Sequence, residues 1–207
     1  RRGLRPVRIA VIGFAFDYAN VASLLAVNPT CALADELGVG IEWLPLPMPV
    51  RDAPPPIRNG ETVGQRHARV RAEYYARDTA RYARWQGIEV NRDADGVDST
   101  LACVGGIWAD RHGVARDYNL HVLREFWAGR LDIQDRDGLT DVLAELGAPG
   151  FGDFDFEVEL AEHRQSVRAR GVFTLPAYLV EDEIFVGRQH LPMVRWLLTG
   201  REGSGPL

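Results

Sequence analysis

Residues Gly171–Leu191 read GVFTLPAYLVEDEIFVGRQHL, and this stretch decides the fold. Pro176 to Val180 is an apolar run of strand length, Glu181-Asp182-Glu183 is a tight polar turn, and Ile184 to Val186 is apolar again. The pattern predicts an antiparallel hairpin. A proline has no N–H for a strand ladder and belongs at a strand's first position, where Pro176 stands. Beyond the hairpin, His190 to Leu198 places Leu191, Val194, Leu197 and Leu198 on one side of a helix. This end of the chain reads strand, strand, helix.

The other end supplies a βαβ unit. Val7 to Phe16 is a nearly continuous apolar run without alternation, which predicts a central strand covered on both faces. Asp17-Tyr18-Ala19-Asn20 interrupts it, and Val21 to Leu37 then reads as a helix with Val21, Leu24, Leu25, Leu33 and Leu37 on its apolar stripe. Pro29 is expected to kink that helix or split it in two. Gly38 and Gly40 suit a C-cap, and Ile41 to Leu46 reads as the second strand, parallel to the first through a right-handed crossover.

Pro45 to Pro56 then breaks regular structure with six prolines. From about Val63 to Leu146 the period is helical. Val70, Tyr74, Tyr82 and Trp85 share one face of a helix ending near Gly87, and further helices cover about Ser99–His112, Asn119–Ala128 and Leu139–Leu146. Thr140 or Asp137 caps the last of these. Phe156 to Arg170 is a fifth helix with Asp153 or Asp155 as its N-terminal acid. The expected organisation is an α/β domain from residues 1–60 and 151–200, an inserted all-helical subdomain at 61–150, and a flexible Gly/Ser/Pro tail at 201–207.

Composition narrows the function classes. At 207 residues folding should bury roughly 70% of the extended-chain surface, so a core needs no staples. The net charge of −5 argues against a nucleic-acid binder, and no apolar run approaches the ~20 residues that span a bilayer. The start, RRGLRPVRIAVIGFAF, has an apolar stretch of only Ile9 to Phe16, with Gly13 inside it and no clear cleavage site. It reads as a buried first strand rather than a signal peptide. The chain does not begin with Met. Cys31 and Cys103 lie far apart in helical segments with no CxxC and no Cys/His cluster, so two buried thiols are the plainer reading beside a disulfide or zinc site. That usage fits a cytoplasmic protein. DIQDRDG, Asp132 to Gly138, would put Ala144 at the twelfth position of a calcium loop, which excludes an EF-hand. No metal site is expected.

Three stretches carry a family resemblance: FDYANVASLLA at Phe16–Ala26, VRAEYYARDTARYARWQGIEV at Val70–Val90, and the proline-headed hairpin quoted above. The chain resembles the group containing 2-hydroxychromene-2-carboxylate isomerase, kappa-class glutathione transferase and DsbA-like proteins. The resemblance implies a thioredoxin-like fold interrupted by helices, and glutathione as cofactor. It also implies a cis Leu175–Pro176 bond, with Leu175 offering its backbone to a bound thiol peptide; an ordinary trans proline is the other reading.

Family members place a nucleophilic Cys, or a Ser holding glutathione sulfur, at the first helix's N-terminus, where free N–H groups and the dipole stabilise an anion. Asn20 stands there, and Ser23 holds the resolving-Cys position. Asn20 is either the N-cap alone or a cap that also donates to a ligand oxygen. Dithiol exchange at this site is excluded. The resemblance implies an acceptor for glutathione's amine at Gln189, where the isomerase branch has Asp; neighbouring His190 either caps the last helix or titrates. Asp98 replaces an Asn that lies near substrate in that branch, and Tyr18 or Trp108 could supply an apolar wall. Arg81, with Arg77 and Arg84, forms either a solvated face or a clamp for an aromatic carboxylate.

The expected site lies between Asn20 and Leu175–Pro176 and takes a small-molecule thiol or aromatic acid. Two readings stay open: a glutathione-dependent isomerase or transferase, and a non-catalytic binding or scaffold module without thiol chemistry. A homodimer is left open.

Overall fold

The computed structural model describes residues 11–50 and 60–206. Val7 to Ala10 of the first strand, Pro54 to Pro56 and Leu207 of the tail lie outside the described residues. Four strands form one sheet: β1 (Val11–Phe16), β2 (Gly40–Pro45), β3 (Ala177–Val180) and β4 (Glu183–Val186). Their order is β2-β1-β3-β4. β1 and β2 run parallel with Phe14 opposite Trp43, while β3 pairs antiparallel to both β1 and β4 with Phe14 opposite Tyr178.

Period-two alternation makes two cores from one sheet. Ile12, Phe14, Phe16, Trp43, Tyr178 and Val180 face one way, into a large cluster shared with the helices. Ala15, Leu44, Leu46, Ala177 and Leu179 face the other, against Val167 and Val172. The absence of alternation in β1's sequence follows, since both its faces are covered. α1 (Val21–Leu37) crosses from β1 to β2 and ends on Gly38 in the left-handed conformation, at φ 62°.

Between β2 and β3 run α2 (Val63–Gln86), α3 (Thr100–Arg111), α4 (Ala115–Trp127), α5 (Arg136–Glu145) and α6 (Glu157–Ala169), with α7 (Leu191–Leu198) at the end. The helical block is not a separate ball. Tyr118, Val122, Phe126 and Leu139 belong to the same cluster as the sheet's Phe14 and Phe16. A glycine pair on α3 makes the join close: a Cβ on Gly105 would lie 2.0 Å from the Tyr118 hydroxyl, and one on Gly106 would lie 2.7 Å from that of Tyr18.

Two expectations are corrected. Pro29 neither splits nor ends α1, which is one helix of 17 residues. Its missing N–H would orphan the carbonyl of Leu25, and Gln86 Nε2 from the end of α2 fills that place at 2.9 Å. α5 starts a turn earlier than its apolar pattern suggested, because Asp135, not Thr140 or Asp137, caps it by accepting from Asp137 N at 3.1 Å. α2 does not bury the Val70, Tyr74 and Trp85 face. Of its residues only Ala83 is buried, whereas Trp85 is 69% exposed.

Candidate functional site

The site begins where β1 stops. Asp17 ends the apolar run, and its carboxylate gathers the turn: Oδ1 accepts from Ala19 N at 3.0 Å and Oδ2 from Met48 N at 3.0 Å. The second contact ties the start of α1 to the segment after β2. Asp17 is only 4% exposed. Burial pushes its carboxyl above the usual range, the amides and the neighbouring Ser99 hydroxyl pull it back in part, and the charge of Asp98 adds to the rise.

Asn20 comes next and uses both ends of its amide. Oδ1 accepts from Ala22 N at 2.9 Å, capping α1, and Nδ2 donates to the Leu175 carbonyl at 3.3 Å. This bond joins two residues 155 positions apart. The Leu175–Pro176 bond is cis, and the Pro176 carbonyl accepts from Gly187 N at 2.8 Å.

A cavity of about 420 Å³ opens at this junction, within the size range of small-molecule sites. Asp17, Asn20 and Val21 form one side, Met48 to Val50 a second, and Phe173 to Leu175 a third. The loop Asp93–Val97, which joins α2 to α3, and Trp127 from α4 close it. Trp127 is fixed by its Nε1 donating to the Tyr18 carbonyl at 2.9 Å.

Several residues singled out from sequence stand elsewhere. Tyr18 is fully buried and gives its hydroxyl proton to Asn119 Oδ1, so its ring packs in the core and not on the cavity. Trp108 packs between His112 and Phe154 and donates to the Ala148 carbonyl at 2.9 Å, away from the lining. The apolar wall comes from Trp127 and Phe173 instead. Arg81 pairs with Asp78 at 3.2 Å on the exposed side of α2 and forms no clamp at the cavity. Asp98 does not line it either; its Oδ1 accepts from Thr100 N at 2.9 Å at the start of α3.

Gln189 and His190 sit on the turn after β4 and do not line the cavity. Gln189 folds back, its Nε2 donating to the Val186 carbonyl at 2.9 Å, and its amide covers Gly187 so closely that a Cβ there would lie 2.3 Å from Oε1. Gly187, at φ 92°, is thus required by both backbone and space. The His190 ring lies beside Phe185. Asp17, Trp127, Phe173, Asp93 and Asp95 were missed. Asp17 left one signal, a lone acid breaking an apolar strand three residues before a helix cap.

Neither cysteine reaches the cavity. Cys31 and Cys103 are both buried and unbridged, and burial pushes each thiol above its ordinary range. Among the described residues no group of three or more His, Cys, Asp and Glu could hold a metal ion, and no helix is long and apolar enough to cross a membrane.

The model of the DSBA-like thioredoxin domain family matches residues 21–198, and the chain belongs to that family. No curated protein matches it in sequence. Among solved structures it is similar to a 2-hydroxychromene-2-carboxylate isomerase, at 20% identity and a TM-score of 0.68, over 92% of this chain and 95% of that one. It is also similar to the cytosolic disulfide reductase DsbM from Pseudomonas aeruginosa, at 21% identity and a TM-score of 0.63, over 92% and 98% of the two chains. That reductase has also been solved with GSH. A probable DsbA oxidoreductase from Streptomyces coelicolor matches at 12% identity and a TM-score of 0.69, over 96% and 93%. At these identities the likeness is one of fold.

Proposed function

We propose that this DSBA-like chain binds a small molecule in the cleft between Asn20 and Leu175 and carries out no thiol–disulfide exchange. The observation that carries the reading is the cleft itself: about 420 Å³ of space at the helix start and the Leu175–Pro176 turn, with an amide where disulfide chemistry needs a thiolate. An amide has no ionisable proton and forms no mixed disulfide, and Ser23, at the second position, is fully buried. In an insulin-reduction assay the purified protein should not exceed background. Turnover that survives Cys31→Ser with Cys103→Ser would overturn this half of the reading.

A second reading is a glutathione-dependent isomerase acting on a small aromatic acid. Its support is the fold likeness to the isomerase and to a reductase solved with GSH. In that chemistry a glutathione thiolate adds to an unsaturated substrate, a bond rotates, and the thiolate leaves again. The residues here supply less for it than the fold does. Asn20's Nδ2 already serves the Leu175 carbonyl, and Gln189 serves its own turn. The reading also assigns the chain to the cytoplasm, supported by two buried, unbridged cysteines.

Thermal unfolding with and without glutathione separates the two readings, because a ligand at 100 times its Kd adds about 2.7 kcal/mol. A rise in Tm with glutathione that Asn20→Leu abolishes would favour the isomerase. No rise with glutathione, alongside a rise with another small molecule, favours the binding protein.

A further inference from the structure

The cleft's lining specifies a charge. Among the described residues that line it, every ionisable group is a carboxylate: Asp17 on the floor, and Asp93 and Asp95 on the α2–α3 loop. The rest of the wall joins the neutral polar side chains of Asn20 and Thr174 to apolar and aromatic ones, led by Trp127, Phe173, Met48 and Val50.

The floor is also incompletely satisfied. Asp17 is 4% exposed; it accepts two main-chain N–H groups and, among the described residues, forms no ion pair. A buried carboxylate without a counter-charge is costly, and a cation brought by a ligand relieves that cost. The floor carboxylate is independent of the rim acids.

Two positive influences oppose it. The Arg168 guanidinium lies over the Phe173 ring, 5.5 Å from its centroid, and comes within 3.6 Å of Met48 Sδ. The N-terminus of α1 also favours anions and amounts to roughly half a positive charge, acting within the first turn. Its donors are largely used: Ala22 N gives to Asn20 Oδ1, and Ser23 N and Leu24 N give to the Asn20 carbonyl. One guanidinium and half a charge, the latter already capped by an amide, do not offset three carboxylates.

We propose that the cleft selects an amine-bearing, partly apolar small molecule, its ammonium among Asp17, Asp93 and Asp95 and its apolar part against Trp127 and Phe173. This rests on the cleft being a binding site and adds the ligand class. An aromatic wall suits such a ligand doubly, because the face of an indole attracts a cation as well as apolar surface. Anionic ligands of equal size are disfavoured by the same carboxylates.

Three matched probes test it: phenethylamine, 3-phenylpropanol and 3-phenylpropanoate, titrated into the full chain at neutral pH by calorimetry, with the Trp127 indole N–H followed by NMR. The amine should bind at least tenfold tighter than the carboxylate and weaken as salt is raised. Asp93→Asn with Asp95→Asn keeps the loop's Asp95 N to Asp93 Oδ1 hydrogen bond within reach of an amide oxygen. Both positions are exposed, so the fold should survive. That variant should weaken the amine at least threefold more than the alcohol. Carboxylate binding as tight as the amine, with shifts at Trp127, overturns the cation preference and leaves the cleft a binding site. Binding of none of the three overturns the preference and counts against the cleft together with it.

Discussion

Gln86 donates from Nε2 to the carbonyl of Leu25 at 2.9 Å, taking the place of the N–H that Pro29 lacks four residues further along α1. One side chain therefore both repairs α1 and anchors the end of α2, whose outer length is exposed. Gln86→Leu should cost about 1–2 kcal/mol, the range for leaving a half-buried carbonyl unpaired. In a Pro29→Ala background α1 supplies its own N–H, and the same substitution should cost distinctly less. Urea unfolding of the four proteins in a double-mutant cycle measures the difference.

Asn20 holds a cap and a cross-link in one amide. Asn20→Ala loses both and should destabilise by about 1–2 kcal/mol, the upper part of the range for cap loss. Asn20→Ser keeps a capping oxygen and loses only the tie to Leu175, so it should lie between Ala and wild type. Equal midpoints for Ser and Ala in denaturant unfolding would show that the cap contributes nothing.

The glycine pair on α3 predicts a steric effect with a specific partner. Gly105→Ala brings a methyl to 2.0 Å from the Tyr118 hydroxyl in the undisturbed structure, and should cost about 1–3 kcal/mol as overpacking does. Tyr118→Phe removes that oxygen. Gly105→Ala should then be cheaper in the Tyr118→Phe background than in wild type, by thermal or chemical unfolding.

His163 predicts the sign of a pH dependence. Its Nε2 lies 2.8 Å from the Pro45 carbonyl, which can only accept, so Nε2 carries the proton of a neutral ring. Burial holds the imidazole below its ordinary range, against the pull of Asp110 and Glu42. The unfolded chain therefore takes up a proton first as pH falls. Stability that the neutral ring confers is present above the ordinary histidine range and is lost as pH falls through it. Asp17, held above the ordinary carboxylate range, has the opposite sign: its contribution is lost as pH rises through that range. In unfolding free energies measured between pH 5 and 8, His163→Gln should be flatter than wild type. An unchanged slope would contradict the assignment.

The elements legible in the sequence are those whose patterns are local. β1's unbroken apolar run, the Pro176 hairpin and the span of α1 all follow from short-range periodicity and turn chemistry, and the family resemblance rested on the start of α1, the hairpin and the Val70–Val90 stretch. What failed was long-range. Pro29 looked like a break because Gln86's repair lies 61 positions from Leu25. Periodicity put Trp85 and Tyr74 on one face, but it does not show whether a partner covers that face, and both are exposed. Tyr18 and Trp108 were expected as pocket walls, yet Asn119 and Ala148 claim their polar ends and their rings pack elsewhere. Asn20 and Leu175 were identified from family pattern, and their contact is a property of the fold. The cavity's acids on the α2–α3 loop had no periodic signal at all.

The junction of Asn20, Trp127 and Leu175 is proposed as a small-molecule site. The direct test is a fragment screen followed by amide and indole NMR on the full chain, with resonances assigned. Fragments that bind should shift Asn20, Val21, the Trp127 indole N–H and Phe173 to Leu175 together, and Trp127→Ala should abolish those shifts while the other amides keep their positions. Binding fragments that leave Trp127 and Leu175 unmoved, gathering instead in the groove of Pro29, Leu191 and Pro192 between α1 and α7, would contradict the account.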